Sequence, residues 1–300
     1  MGGGTVVDEI LFSTAEITEQ DRQEIDSSIH KQKFVSMLDC FKVHNGIRPS
    51  EFSVIVGKSG QGKSSLCKTI ISEIAVNGYN SLVFLSEEKT SVYKQSIHKG
   101  LTMASKDASA FLKRINITSM LDWKPEQKTE KKFFYYLEKY INDFESELVV
   151  FDNFTTSFMG SLPISKQGEI IDKFRLLAST YDIAIISAFH TQKGSDQYKR
   201  VLDGEDVRGN ATATNAGSYN YILSTYFRLE KPKAILTIDK ARYHPRANKT
   251  YWELEYNVET GMYYRAREVN YDYVAGLLDD VREQQAEYQK KKKLKKEYKW

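Results

Sequence analysis

The stretch GKSGQGKSS, residues 57–65, follows the apolar run EFSVIV and precedes LCKTIISEIA. Its spacing, G-x-x-x-x-G-K-[ST], demands a particular local fold: a strand that delivers a glycine-rich loop, and a helix that begins as the loop ends. Gly57, Lys58, Ser59, Gly60, Gln61, Gly62, Lys63, Ser64 and Ser65 make up that loop. Its glycines let backbone N–H groups face the oxygens of a nucleoside triphosphate. Lys63 is long enough to reach the β- and γ-phosphates, and Ser64 offers a hydroxyl to Mg²⁺ at the helix start. The strand before and the helix after separate this arrangement from a chance glycine-rich turn.

The rest of the chain supplies a fold that can carry such a loop. From Glu51 onward, short β-rich runs alternate with helical patterns: EFSVIVG, KSSLCKTIISEIAV, SLVFLSEE, a helix from about Ser91, KRINIT, KTEKKFFYYLEKYINDFES, ELVVFDN, SKQGEIIDKFRLLASTYD and IAIISAF. That alternation predicts an α/β fold with a mostly parallel twisted sheet, and the nearly all-apolar strands predict helices on both of its faces. After Asn220 the pattern becomes successive strands, YILSTYFRL, KAILTIDKAR, KTYWELEYN and GMYYRA, read as C-terminal antiparallel hairpins extending the sheet. The expected organisation is an N-terminal arm or linker helix over 1–32, a main domain over 33–266, and a C-terminal helix with a lysine-rich tail over 267–300.

Composition narrows the class. A chain of 300 residues with 41% hydrophobic residues can fill a sizeable core. No apolar run approaches the roughly 18 residues that cross a bilayer, and the N-terminus lacks a signal-peptide pattern, so a cytoplasmic protein without a membrane partner is expected. Cys40 and Cys67 are too few for a zinc ribbon and read as inert thiols. Residues 290–300 alone hold seven Lys and one Glu, more than the whole net charge of +3, so the remainder is net acidic. Overall charge therefore makes no case for nucleic acid.

A triphosphate site needs further carboxylates, one toward the metal and one to act as a base on the attacking water. Asp152 ends the apolar strand LVVFD, the position such a metal-side carboxylate takes at a parallel-sheet edge. Glu87 and Glu88 end SLVFLSEE, expected near the strand that carries Gly57. Glu87 is the candidate base, and one of the pair could instead cap the following helix.

The order of phosphate loop, Glu after the next strand, Asp after a later one and a late K-x-R resembles the RecA-like motor domain of hexameric replicative DNA helicases, of the DnaB-like and phage primase-helicase type. FVSMLDCFKVHNGIRPSEF, ISAFHTQKG, DVRGNATATNAGSYNYIL and DKARYHPRANKTYWELEYNVETGMYY are similar to successive family segments, so the likeness covers about 34–264. The resemblance implies a P-loop NTPase fold and a ring, most often a homo-hexamer, that hydrolyses ATP or dTTP with Mg²⁺ while moving on single-stranded DNA. It implies His190, with Gln192 as second choice, as sensor of the γ-phosphate. It implies Lys240 and Arg242 as groups reaching a neighbour's γ-phosphate, and Tyr256 as the ring stacked on adenine. Loops after Asp152 and His190 would meet DNA, through Lys193, Lys199, Arg200 and Arg208.

The chain departs from that family in two ways. It shows no primase module, so residues 1–32 are expected to serve only as the arm by which one subunit docks on the next, with a primase, a polymerase or a helicase loader as outside partner. It also carries HPRANK where the family favours a glycine turn. A RecA-like recombination or annealing ATPase that binds single-stranded DNA without unwinding is the alternative. A regulatory module that only switches on nucleotide is disfavoured, because Glu87, Asp152, His190 and Arg242 together exceed what a switch needs.

Overall fold

The computed structural model describes residues 38–43, 47–104, 107–192, 200–206, 211–226, 232–241 and 249–297. Contacts divide the chain after Lys33, and every described residue falls in the second unit, Phe34–Trp300. The strands are β1 (Phe52–Val56), β2 (Ser81–Leu85), β3 (Ile115–Ser119), β4 (Leu148–Asp152), β5 (Ala184–Phe189), β6 (Tyr219–Tyr226), β7 (Lys233–Ala241), β8 (Thr250–Asn257) and β9 (Met262–Val269). They form one sheet in the order β3-β2-β4-β5-β1-β6-β7-β8-β9.

The first six strands are mutually parallel, and β7, β8 and β9 join antiparallel. The mostly parallel sheet with C-terminal antiparallel strands read from the sequence is therefore the observed fold. β2, which leads to Glu87, does not lie beside β1; β4 and β5 come between them.

The helices are α1 (Asp39–Val43), α2 (Lys63–Val76), α3 (Thr90–Ala104), α4 (Ala108–Leu112), α5 (Glu130–Asp143), α6 (Ile164–Tyr181), α7 (Ala211–Ala216) and α8 (Tyr271–Glu297). Successive strand residues point to opposite faces, so Ile55, Val83 and Leu85 join one core with α2 and α3, while Val54, Val56 and Phe84 join a second with α5 and α6. Burial on both faces is why these strands read as unbroken apolar runs. Phe174 of α6 stacks on Phe151 of β4 at 4.5 Å between centroids. Truncating a buried Phe of this kind costs about 3–5 kcal/mol. The helix α5 starts where Thr129 accepts a hydrogen bond from Lys132 N at 3.4 Å, an N-cap followed by apolar Phe133, Phe134, Leu137 and Ile141 at helical spacing. The helix α8 lays Val274, Leu277, Leu278 and Val281 against Tyr226 and Ile235, covering the antiparallel part of the sheet.

Candidate functional site

Strand register gathers the candidate residues at one edge. Val56 sits opposite both Phe189 and Ile222, and Leu85 opposite Asp152. Gly57, Glu87, Asp152 and His190 thus all emerge where parallel strands end, which is where open α/β sheets bind ligands. Gly57 N donates to Phe189 O at 3.2 Å and Ser86 N to Asp152 O at 2.9 Å, closing the gaps between these ends.

The loop itself is held in a shape that glycine permits. Gly62 has φ of 92°, in the left-handed region, and a β-carbon there would collide with the Tyr263 hydroxyl. At Gly57 a β-carbon would come within 2.8 Å of Leu223 O. Gln61 is buried and fastens the loop to β6: its Oε1 accepts from Thr225 N at 2.5 Å, and its carbonyl accepts from Thr225 Oγ1 at 2.9 Å. No side chain caps the start of α2, so its first-turn N–H groups stay open to an anion.

Lys63 is buried with its ammonium turned back into the loop. Nζ donates to the carbonyls of Gly57 and Lys58, each at 2.9 Å, and to His190 Nδ1 at 3.1 Å. Burial brings its pKa down to about 8, against the opposing pull of Asp152 and Glu87. Asp152 lies buried beneath the loop. Burial pushes its carboxyl up to about 6, while the hydrogen bond from Ser64 and the charges of Lys63 and Lys68 pull the other way. A hydroxyl beside a buried carboxylate is a hard-oxygen pair suited to Mg²⁺, which takes few protein ligands and completes its shell with water and phosphate oxygens. Among the described residues no group of three or more His, Cys, Asp or Glu could hold a metal unaided, so Ser64 and Asp152 would need the phosphates to complete a site.

The two adjacent glutamates separate cleanly. Glu88 pairs with Lys68 at 3.0 Å, and Lys68 also lies over the Tyr93 ring at 4.5 Å. Glu87 instead lines the cavity and reaches His190, with Oε1 3.3 Å from Nε2. With Lys63 donating to Nδ1, the proton of the neutral ring sits on Nε2 and points at Glu87. Asn153 Nδ2 lies 3.0 Å from the same Nε2, its own Oδ1 engaged by Thr155 N at 2.8 Å. In this tautomer Nε2–H donates to Glu87, and the Asn153 amide, itself a donor, only packs against it. Burial and Lys63 hold the imidazole below the usual histidine range, so it is neutral at physiological pH.

These groups border a cavity of about 800 Å³ whose near wall is Ser59, Gly60, Gln61, Gly62, Lys63, Ser64 and Ser65. Its far wall includes Glu253, Tyr256, Val258, Tyr263 and Tyr264. Tyr256 is half exposed, and its ring meets buried Tyr263 edge-on at 5.4 Å between centroids. Sequence reasoning missed Asn153, Gln61 as a fastener and Tyr263. Asn153 directly follows the strand-end Asp152, a signal that was available; the Tyr263 contact with Gly62 joins positions remote in sequence and had none.

The remaining expected residues lie elsewhere. Lys240 sits opposite Asn220, which is opposite Val54 in the middle of β1, short of the strand end that leads to Gly57. Its Nζ donates to the carbonyls of Asn215 at 2.7 Å and Thr214 at 3.2 Å, at the end of α7. Arg200 donates to buried Asp206 at 2.8 Å and lies 3.6 Å from Asp203. Lys193, Lys199, Arg208 and Arg242 lie outside the described residues, as do the arm over 1–32 and the last residues of the lysine tail. Among the described residues no helix is long and apolar enough to cross a membrane.

Comparisons with known proteins accord with this geometry. A family model described as "ATPase: KaiC" matches residues 32–251. No curated protein matches the sequence significantly. Among solved structures, one described as an ATPase domain superimposes with a TM-score of 0.62 at 12% identity, covering 82% of this chain and 96% of that one. A KaiC-like protein, PH0186, from Pyrococcus horikoshii OT3 gives 0.57 at 15% identity, over 77% of this chain and 97% of that one. A DnaB-like replicative helicase, described together with its interactions with primase, gives 0.63 at 13% identity, over 82% of this chain and 65% of that one. At such identities the likeness is one of fold, and that fold is the RecA-like ATPase fold. With the family match spanning most of the sequence, the chain belongs to the KaiC ATPase family of P-loop nucleotide-binding proteins.

Proposed function

We propose that this chain is the motor of a ring-forming DNA helicase, most simply a homo-hexamer, that couples NTP hydrolysis to movement along single-stranded DNA and to duplex unwinding in replication. The observation that carries the reading is a division of labour across the sheet. The phosphate loop, Glu87 and His190 border one cavity, with Asp152 beneath the loop, while Lys240 lies two strands from β1, level with its middle, and does not border that cavity. Because Lys240 does not border its own nucleotide cavity, this reading gives the Lys-x-Arg segment to an adjacent subunit, as in a ring whose sites are completed in trans.

In this reading Lys63 and the N–H groups at the start of α2 bind the β- and γ-phosphates of ATP or dTTP. Glu87 accepts a proton from the attacking water as the new O–P bond forms and the bond to the bridging β,γ-oxygen breaks, leaving the nucleoside diphosphate and inorganic phosphate. Ser64 and Asp152 would hold Mg²⁺, which neutralises phosphate charge when bound. His190, between Lys63 and Glu87, registers the γ-phosphate, and Tyr256 stacks on the base. Lys193, Lys199, Arg200 and Arg208 meet DNA phosphates. A primase is a natural outside partner, since one structural neighbour is described with its interactions with primase; a polymerase or a loader would serve the same assembly.

A RecA-like ATPase that binds single-stranded DNA without unwinding is the alternative, and on its side stands a family match described as a KaiC ATPase rather than as a helicase. Strand displacement on a forked duplex, with ATP and with dTTP in the presence of Mg²⁺, separates the two. Nucleotide-dependent displacement is expected. DNA-stimulated hydrolysis without displacement would favour the second reading.

A further inference from the structure

Two residues beyond His190, Gln192 turns away from the cavity. Its N–H donates to Asp206 O at 2.6 Å and its Nε2 to Glu205 O at 2.9 Å. These carbonyls belong to a tight turn over 203–206 that is knit internally: Asp203 N donates to Asp206 Oδ2 at 3.0 Å, and Glu205 N to Asp203 Oδ1 at 3.1 Å. Asp206 is buried, so the turn moves as a unit rather than fraying residue by residue.

The turn's other side is fastened to β7. Gly204 N donates to Asp239 Oδ2 at 3.0 Å, with so little space between them that a β-carbon on Gly204 would come within 2.7 Å of that oxygen. Lys249 spans both elements, 2.6 Å from Asp239 and 3.9 Å from Asp203. These are charge-assisted contacts, stronger than neutral ones. Asp239 immediately precedes Lys240. The contacts border a second cavity, about 550 Å³, which shares no lining residue with the nucleotide cavity.

A continuous route thus runs from His190 along two residues of backbone to Gln192, and from there by hydrogen bonds through the turn to Asp239. Its inner end lies in the nucleotide site, where His190 meets Lys63, Glu87 and Asn153, contacts that an incoming γ-phosphate would redistribute. Coupling between sites requires a two-state element, not proximity alone, and the nucleotide-free and nucleotide-bound contacts of His190 would be its two states. We propose that the turn 203–206 is a latch through which the state of a subunit's own nucleotide site sets the position of the β7 end carrying Lys240. The inference rests on the reading of Lys240 as a group offered to a neighbouring subunit. Asp239, Gly204 and Lys249 act in it as positioning residues, touching neither nucleotide nor DNA.

Hydrogen–deuterium exchange, with and without a non-hydrolysable ATP analogue and Mg²⁺, tests the latch without DNA. In the wild type, nucleotide should change exchange in peptides over both 200–206 and 233–241, by at least about threefold. In Asp239→Asn and in Lys249→Met, the change over 200–206 should persist and that over 233–241 should vanish. Lys249 is partly exposed, so its variant keeps the test valid if Asp239→Asn folds poorly. The latch is overturned if 233–241 still responds in the variants, or if either segment is silent in the wild type. A fluorescent-nucleotide titration on the same samples identifies a chain that binds no nucleotide, which would sink the site and the latch together. The helicase reading is judged apart from this, on strand displacement.

Discussion

Glu87 and His190 leave strands that are separated by β4, yet Glu87 Oε1 lies 3.3 Å from His190 Nε2. Glu88, one residue on, turns to Lys68 and leaves the cavity. Of the two, only Glu87 borders the cavity, so the proposed function makes it the one that meets a water at the γ-phosphate. Glu87→Gln should therefore keep nucleotide affinity within a few-fold and lower single-turnover hydrolysis about 10²- to 10⁴-fold, whereas Glu88→Gln should lower it less than about tenfold. The opposite ranking would exchange the two roles.

The pH dependence of kcat/KM follows from two buried groups. Asp152 ionises only as pH rises through about 6, and Lys63 loses its proton above about 8. The site needs the carboxylate and the ammonium together, so kcat/KM should rise on the acid side of 6 and fall on the alkaline side of 8. Lys63→Ala should remove hydrolysis at every pH while leaving the circular dichroism spectrum unchanged, because among the described residues the ammonium bonds to loop carbonyls and His190. A profile flat from pH 5 to 9 would contradict the assignment of both groups.

Asp152 should cost the folded protein stability in return for its chemistry. Its carboxyl holds a proton in the fold up to about 6, against an ordinary value of 3.8. The folded state binds more protons across that window, so stability from this group is complete below about 4 and is lost as pH rises to about 6. At pH 7.5 the buried charge costs about 1–3 kcal/mol. Asp152→Asn should raise Tm by a few degrees at pH 7.5 and by clearly less at pH 4.5, with hydrolysis abolished. An equal shift at both pH values, or a loss at pH 7.5, would show that burial is not what raises the pKa.

Much of this site could be read before folding because its logic is local. A loop of fixed spacing between a strand and a helix, and carboxylates at the ends of LVVFD and SLVFLSEE, are short-range patterns, and the structure has those residues at strand ends on one edge. Sheet order is not short-range. Nothing in SLVFLSEE says that β4 and β5 insert between it and β1, or that β9 returns to set Tyr263 against Gly62. The placement of Lys240 relative to its own loop was hidden for the same reason, since the antiparallel hairpin was legible but the pairing of β6 with β1, and its register, was not. Loop contacts such as Gln192 with Glu205 are set by chain reversals that carry no periodic signal.

That placement of Lys240 makes the ring testable by mixing. If the K-x-R pair completes the site of an adjacent subunit, Arg242→Ala is defective in what it offers and Lys63→Ala in what it receives. Each variant alone should fall to a few per cent of wild-type DNA-stimulated hydrolysis or less, because one lost phosphate contact costs roughly 10²-fold or more. Co-refolding the two together creates interfaces at which an intact Lys63 faces an intact Arg242, and hydrolysis should return in proportion to their frequency. At equal amounts about a quarter of the interfaces are of this kind if assembly is random. Unwinding needs several subunits firing in turn, so it should stay well below that fraction. Were Arg242 to act within its own subunit, each productive site would need both residues on one chain. No mixing ratio would then restore hydrolysis above the level of the single variants.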